Sequence, residues 1–143
     1  MRAFASLVVL TIVTACTPKA PQIEITDPVI IATPTGGAAY FTIHNEGGGD
    51  RLLSVETPSI GEASMHETTR DGSITRMRAV EAVDIPAGGD IVFERGGLHV
   101  MLMGSTGALQ PGKPVQLTIS FERSGNMTIT APIKAPDAPV EAM

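Results

Sequence analysis

Ala63-Ser64-Met65-His66-Glu67-Thr68-Thr69, then Arg70-Asp71-Gly72-Ser73, then Ile74-Thr75-Arg76-Met77-Arg78-Ala79-Val80, reads as two strands joined by a tight reversal. Asp-Gly supplies the positive-φ positions that such a turn needs. Outward from this hairpin, both flanks repeat the pattern. Short apolar or alternating runs occur at Ile23–Ile25, Ala38–His44, Leu52–Thr57, Ile91–Glu94, Leu98–Met103, Val115–Phe121 and Met127–Ala131. Between them stand Thr35-Gly36-Gly37, Glu46-Gly47-Gly48-Gly49-Asp50, Pro86-Ala87-Gly88-Gly89 and Gln110-Pro111-Gly112. Runs of strand length separated by Gly/Pro turns predict an all-β antiparallel sandwich, and no segment carries a sustained helical apolar stripe.

The chain has 143 residues, 43% hydrophobic and 17% charged, enough for one domain with a real core and too few for two. Aromatic residues make up 3%, there is no Trp, and the formal charge is -5. A negative surface without stacking platforms excludes nucleic acid as a partner.

The first residues carry a separate message. Met1-Arg2 is a short positive start, and Ala3 to Ala15 is an apolar run too short for a permanent span. Val13-Thr14-Ala15-Cys16 places small residues before the only cysteine, as in the lipobox of bacterial lipoproteins. Residues 1–15 therefore read as a lipoprotein-type signal peptide, and Cys16 as the acylated first residue of a membrane-anchored, periplasmic protein. An ordinary signal peptide with an incidental Cys is the plainer alternative, and either puts the domain outside the cytoplasm. Arg2 is the one charged residue among the fifteen, so their removal takes the charge from -5 to -6. Residues 16–22 read as a polar tether, 23–133 as the domain and 134–143 as a mobile Pro/Ala-rich tail.

Of seven methionines, Met65, Met77, Met101 and Met103 share a 39-residue window with two of the three histidines. Met commonly fills core gaps, so position matters more than number. In Leu98-His99-Val100-Met101-Leu102-Met103, alternation sends His99, Met101 and Met103 to one face and the aliphatic residues to the other. Pairing about Asp71-Gly72 puts Met77 nearly across from His66. Imidazoles and thioethers without carboxylates suit copper(I) rather than zinc, calcium or magnesium, and a blue-copper site needs a thiolate that the domain lacks.

The spacing of these residues, His66, ten residues, Met77, twenty-one residues, His99, one residue, Met101, resembles the signature of the PCuAC family of periplasmic copper chaperones. The resemblance extends to Ala39–Asn45, Met65-His66, Ile85–Gly89 and Gly96–Met103, covering about residues 23 to 133. It implies a cupredoxin-like β-sandwich with one copper(I) ion on His66, Met77, His99 and Met101. It also implies delivery during cytochrome c oxidase assembly, to an oxidase subunit or an assembly factor. Some family members carry a His- and Met-rich C-terminal extension; here that region is Pro/Ala-rich, so a second copper(II) site is not expected.

Beside the site, Met65 and Met103 read as wall, core or cap, and His44 as a hydrogen-bonded structural histidine. Glu81 and Asp84 read as solvated loop carboxylates, and no Gly-x-Ser-x-Gly elbow frames a hydrolytic triad. The rival readings are a copper-buffering protein, a metal-free structural lipoprotein domain and, weakest, a copper enzyme.

Overall fold

The computed structural model describes residues 17–104, 107 and 109–137. The expected signal peptide, Cys16 and the end of the expected tail lie outside the described residues. Among the described residues ten strands follow in order: β1 (Ile23–Thr33), β2 (Gly36–Asn45), β3 (Asp50–Glu56), β4 (Gly61–Asp71), β5 (Ile74–Ala79), β6 (Val83–Ile85), β7 (Asp90–Phe93), β8 (Leu98–Gly104), β9 (Pro114–Phe121) and β10 (Gly125–Lys134). They hydrogen-bond in the order β5-β4-β8-β7-β2-β1-β10-β9-β3-β6. The short parallel pairing of β1 with β10, Ile30 to Ile133 and Ile31 to Lys134, joins two layers of a β-sandwich. Ladders elsewhere are antiparallel except β7 with β8, and the fold is the cupredoxin-like sandwich expected.

Alternation builds the core between the layers. Ile30, Phe41, Ile43, Met65, Phe93, Val100 and Leu102 come from one layer, and Leu52, Val55, Leu117, Ile119, Phe121 and Ile133 from the other. Burying each such side chain contributes about 1.5–3 kcal/mol. Phe41 and Phe93, directly paired across β2 and β7, stack at 4.5 Å between ring centroids. Leu53 is an extra residue in β3, where the register shifts between Leu52 and Ser54. That bulge keeps both Leu52 and Val55 inside.

Several local features differ from the sequence expectation. β6 has three residues and pairs with β3, too short to register as a run. Asp84 lies on it, with its Oδ1 3.3 Å from Arg51 Nε. Gly36 and Gly37 belong to β2 rather than to a turn. The reason at Gly36 is close approach: a Cβ there would stand 2.1 Å from the Leu102 carbonyl oxygen. Only Gly72 of the Asp-Gly pair has positive φ, 60°. It is the first residue of a two-residue loop between Asp71 and Ile74, the place where a type II′ turn takes glycine.

Within the expected tether, Lys19–Gln22 lies against the β2–β3 loop. Gly48 N donates to Ala20 O at 2.9 Å, Glu46 N to Gln22 O at 3.1 Å and Gln22 N to Asn45 Oδ1 at 3.1 Å. A Cβ on Gly48 would meet Lys19 O at 1.9 Å, so the glycine run makes room for this segment. At the other terminus, Lys134 ends β10 rather than starting a tail.

Asp50 ties the adjoining turn. Its side chain is buried and accepts from Arg51 N at 2.8 Å, Arg123 N at 2.9 Å, Ser124 N at 3.0 Å and the Ser124 hydroxyl. Burial alone pushes its pKa up, but these donors to the carboxylate outweigh it and hold the group below its ordinary value.

Candidate metal centre

The β4–β8 ladder sets His66 directly opposite His99 and Ser64 opposite Met101. Directly opposed residues share a face, so His66, His99 and Met101 lie together on the outer face of their layer. Met65, Val100 and Leu102 point the other way, into the core. The aliphatic half of each strand fastens it to the core, leaving the donor half free.

The imidazole rings lie 6.0 Å apart between centroids, inclined by 23°. His99 Nδ1 lies 3.1 Å from Gly97 O, and His66 Nδ1 3.4 Å from Ser64 O. A carbonyl only accepts, so Nδ1 is the donor in these contacts, and in the neutral imidazole that tautomer leaves the Nε2 lone pair for a metal. This is how metal-binding histidines are commonly oriented. His99 is 8% exposed, while His66 and Met101 are half-buried.

Met77 is opposite Thr68 on β5, and Ala79 is opposite His66. Met77 is thus one diagonal step from His66 on the same face, a separation of roughly 7–8 Å that long side chains span. The β4–β5 hairpin and the β4–β8 ladder together bring the four candidate residues to one face, with Met77 one diagonal step from where simple symmetry about Asp71-Gly72 puts it. Among the described residues, no group of three or more His, Cys, Asp or Glu side chains gathers in a metal-holding arrangement. The donors that gather are imidazole and thioether, which fit copper(I).

Met65 is a core residue at 5% exposure, whereas Met103 is 51% exposed on the same face as Met101. His44 is hydrogen-bonded, as expected. Its Nδ1 is 3.0 Å from Asp90 Oδ1 and its Nε2 3.0 Å from Thr26 Oγ1, which occupies both ring nitrogens. What sequence reasoning missed are the orienting groups, the carbonyls of Ser64 and Gly97. They are backbone atoms and carry no residue signature.

The family described as "Putative lipoprotein LpqE-like" matches residues 23–133. The chain belongs to this LpqE-like family, which is of the PCuAC type. This LpqE-like chain is 31% identical over 99 residues to "Putative lipoprotein Lxx21020" of Leifsonia xyli subsp. xyli, covering 68% of this chain. It spans 60% of the length of that relative. Among solved structures it resembles the apo PCuAC domain of PmoF2, with TM-score 0.67 and 25% identity, covering 85% of this chain and 98% of that one. It also resembles the CuI form of DR1885 from Deinococcus radiodurans, with TM-score 0.61 and 30% identity, covering 75% and 74% of the two chains.

Proposed function

We propose that this LpqE-like domain binds one copper(I) ion through His66, Met77, His99 and Met101 and hands it to a copper-accepting protein outside the cytoplasm. The observation that carries the reading is the direct pairing of His66 with His99, both Nδ1 atoms facing carbonyls, with two thioethers on the same face. The CuI form of the similar DR1885 supports it.

The chemistry is ligand exchange, and no substrate bond is made or broken, so the role is not enzymatic. Neutral thioethers select copper(I) over harder ions yet yield to thiolates, which makes a selective donor that is not a trap. We assign the recipient to cytochrome c oxidase assembly, as an oxidase subunit or an assembly factor. Acylation of Cys16 would anchor the protein at the periplasmic face of a membrane and raise its concentration beside a membrane-bound recipient.

An anaerobic copper(I) titration of the full chain against a chromophoric chelator tests the site. One equivalent bound by the native protein and lost from the His99→Ala/Met101→Ala variant is the expected result. Equal, weak binding by both would sink the reading. Buffering uses the same ligands, and failure to load any periplasmic acceptor would favour it.

A further inference from the structure

The four proposed ligands are held unequally. His99 and Met101 lie on β8, which is hydrogen-bonded to β4 on one side and to β2 on the other. Burial and the 3.1 Å contact with Gly97 O fix the His99 ring. Met77 lies on β5, the terminal strand of the sheet, which among the described residues pairs with β4 alone. Every residue of β5 is exposed, Met77 by 55%. His66 is intermediate: half-buried, with a longer 3.4 Å contact at Nδ1.

We propose that copper(I) leaves in a fixed order, Met77 first, His66 next, and His99 with Met101 last, the incoming thiolate taking the position that Met77 vacates on the open β5 side. The proposal rests on the copper-site reading above. Exchanging a ligand requires its donor to swing off the ion. Met77 does so by rotamer change into water, whereas rotating His99 would break its carbonyl contact inside a buried setting. Each of the first two steps breaks one bond from copper to a neutral thioether or imidazole and forms one to a thiolate, and the last breaks the bonds to His99 and Met101 as copper leaves on the acceptor's thiolates. The thiol proton passes to solvent, and copper stays in the +1 state throughout. The edge strand thus works as the exit, and β8 as the part that prevents loss before an acceptor arrives.

The test uses the full chain carrying one copper(I), with glutathione as acceptor under anaerobic conditions, and Met77→Leu and Met101→Leu as variants. Leucine conserves volume, so the fold is retained, and thermal unfolding verifies this. Affinity should fall about tenfold for Met77→Leu and about 100-fold for Met101→Leu, the span seen when groups supporting a metal site are altered. In the native protein with ¹³C-methyl methionine, the Met77 signal should return to its copper-free position at lower glutathione than the Met101 signal. Equal affinity losses, or a Met101 signal that reverts first or in step with that of Met77, would overturn the order. A native chain that binds no copper(I) before glutathione is added would instead remove the function itself, so the two failures are distinguishable.

Discussion

At Asp50 a single carboxylate gathers the backbone N–H of its neighbour Arg51 on β3 and, from the β9–β10 turn, the N–H groups of Arg123 and Ser124 and the Ser124 hydroxyl. Its pKa is held below the ordinary value. A depressed carboxylate stabilises the folded state above the unfolded value of about 3.9, and that contribution disappears as pH falls through the lower folded value. Asp50→Asn should therefore cost about 1.5–3 kcal/mol at pH 7, the size of hydrogen bonds to a charged group. The gap from the native protein should narrow as pH falls below about 4. Urea unfolding of both proteins at pH 7 and pH 3 measures it, and a gap independent of pH would contradict the assignment. The proposed metal ligands show a different residue-scale rule. Thioethers and imidazoles are individually common, and their meaning lies in sharing a face, which alternation made legible for His99 and Met101 and could not supply for the Nδ1 contacts.

The hairpin of β4 and β5 is the element on which the site depends. Its two-residue loop fixes the register, and the register sets Met77 one diagonal from His66. Gly72 sits at φ 60°, where an L side chain is strained by roughly 1–2 kcal/mol. Gly72→Val should lower stability by about that amount. It should also weaken copper(I) binding more than a substitution of equal stability cost in the distant β9–β10 turn. Thermal unfolding and chelator competition on the same samples separate the two effects; unchanged affinity would show that Met77 is placed by something other than the turn. The hairpin was readable because Asp-Gly between alternating arms is a strong local signal. β6 was not readable, since three residues have no period, and Gly36 misled because its role is to admit a neighbouring carbonyl rather than to turn.

For the whole molecule, the N-terminal segment decides how the domain is presented. Lys19–Gln22 is bonded to the β2–β3 loop, so only Thr17 and Pro18 separate the docked segment from Cys16. With Cys16 acylated, that loop end of the sandwich would stand close to the bilayer rather than on a long leash. Cys16→Ser should shift the protein from the membrane fraction to the soluble periplasmic fraction while leaving its copper(I) affinity unchanged. Detergent partitioning and chelator competition check the two halves of this expectation, and retention of the variant in the membrane fraction would refute the anchor.

The class of fold was legible in the chain alone, because alternation and turn chemistry are local, and so was the type of metal proposed, because donor softness belongs to the side chain. The ten-, twenty-one- and one-residue intervals also located the four candidate donors and the family. It took the folded chain to show that His66 and His99 face one another, that carbonyls of Ser64 and Gly97 lie against their rings, and that the expected tether is docked. The folded chain alone set apart a thioether on an open edge from one on a strand paired on both sides. These depend on pairing between segments far apart in the chain. Such pairings are selected by the packing of the whole core, which no local stretch encodes.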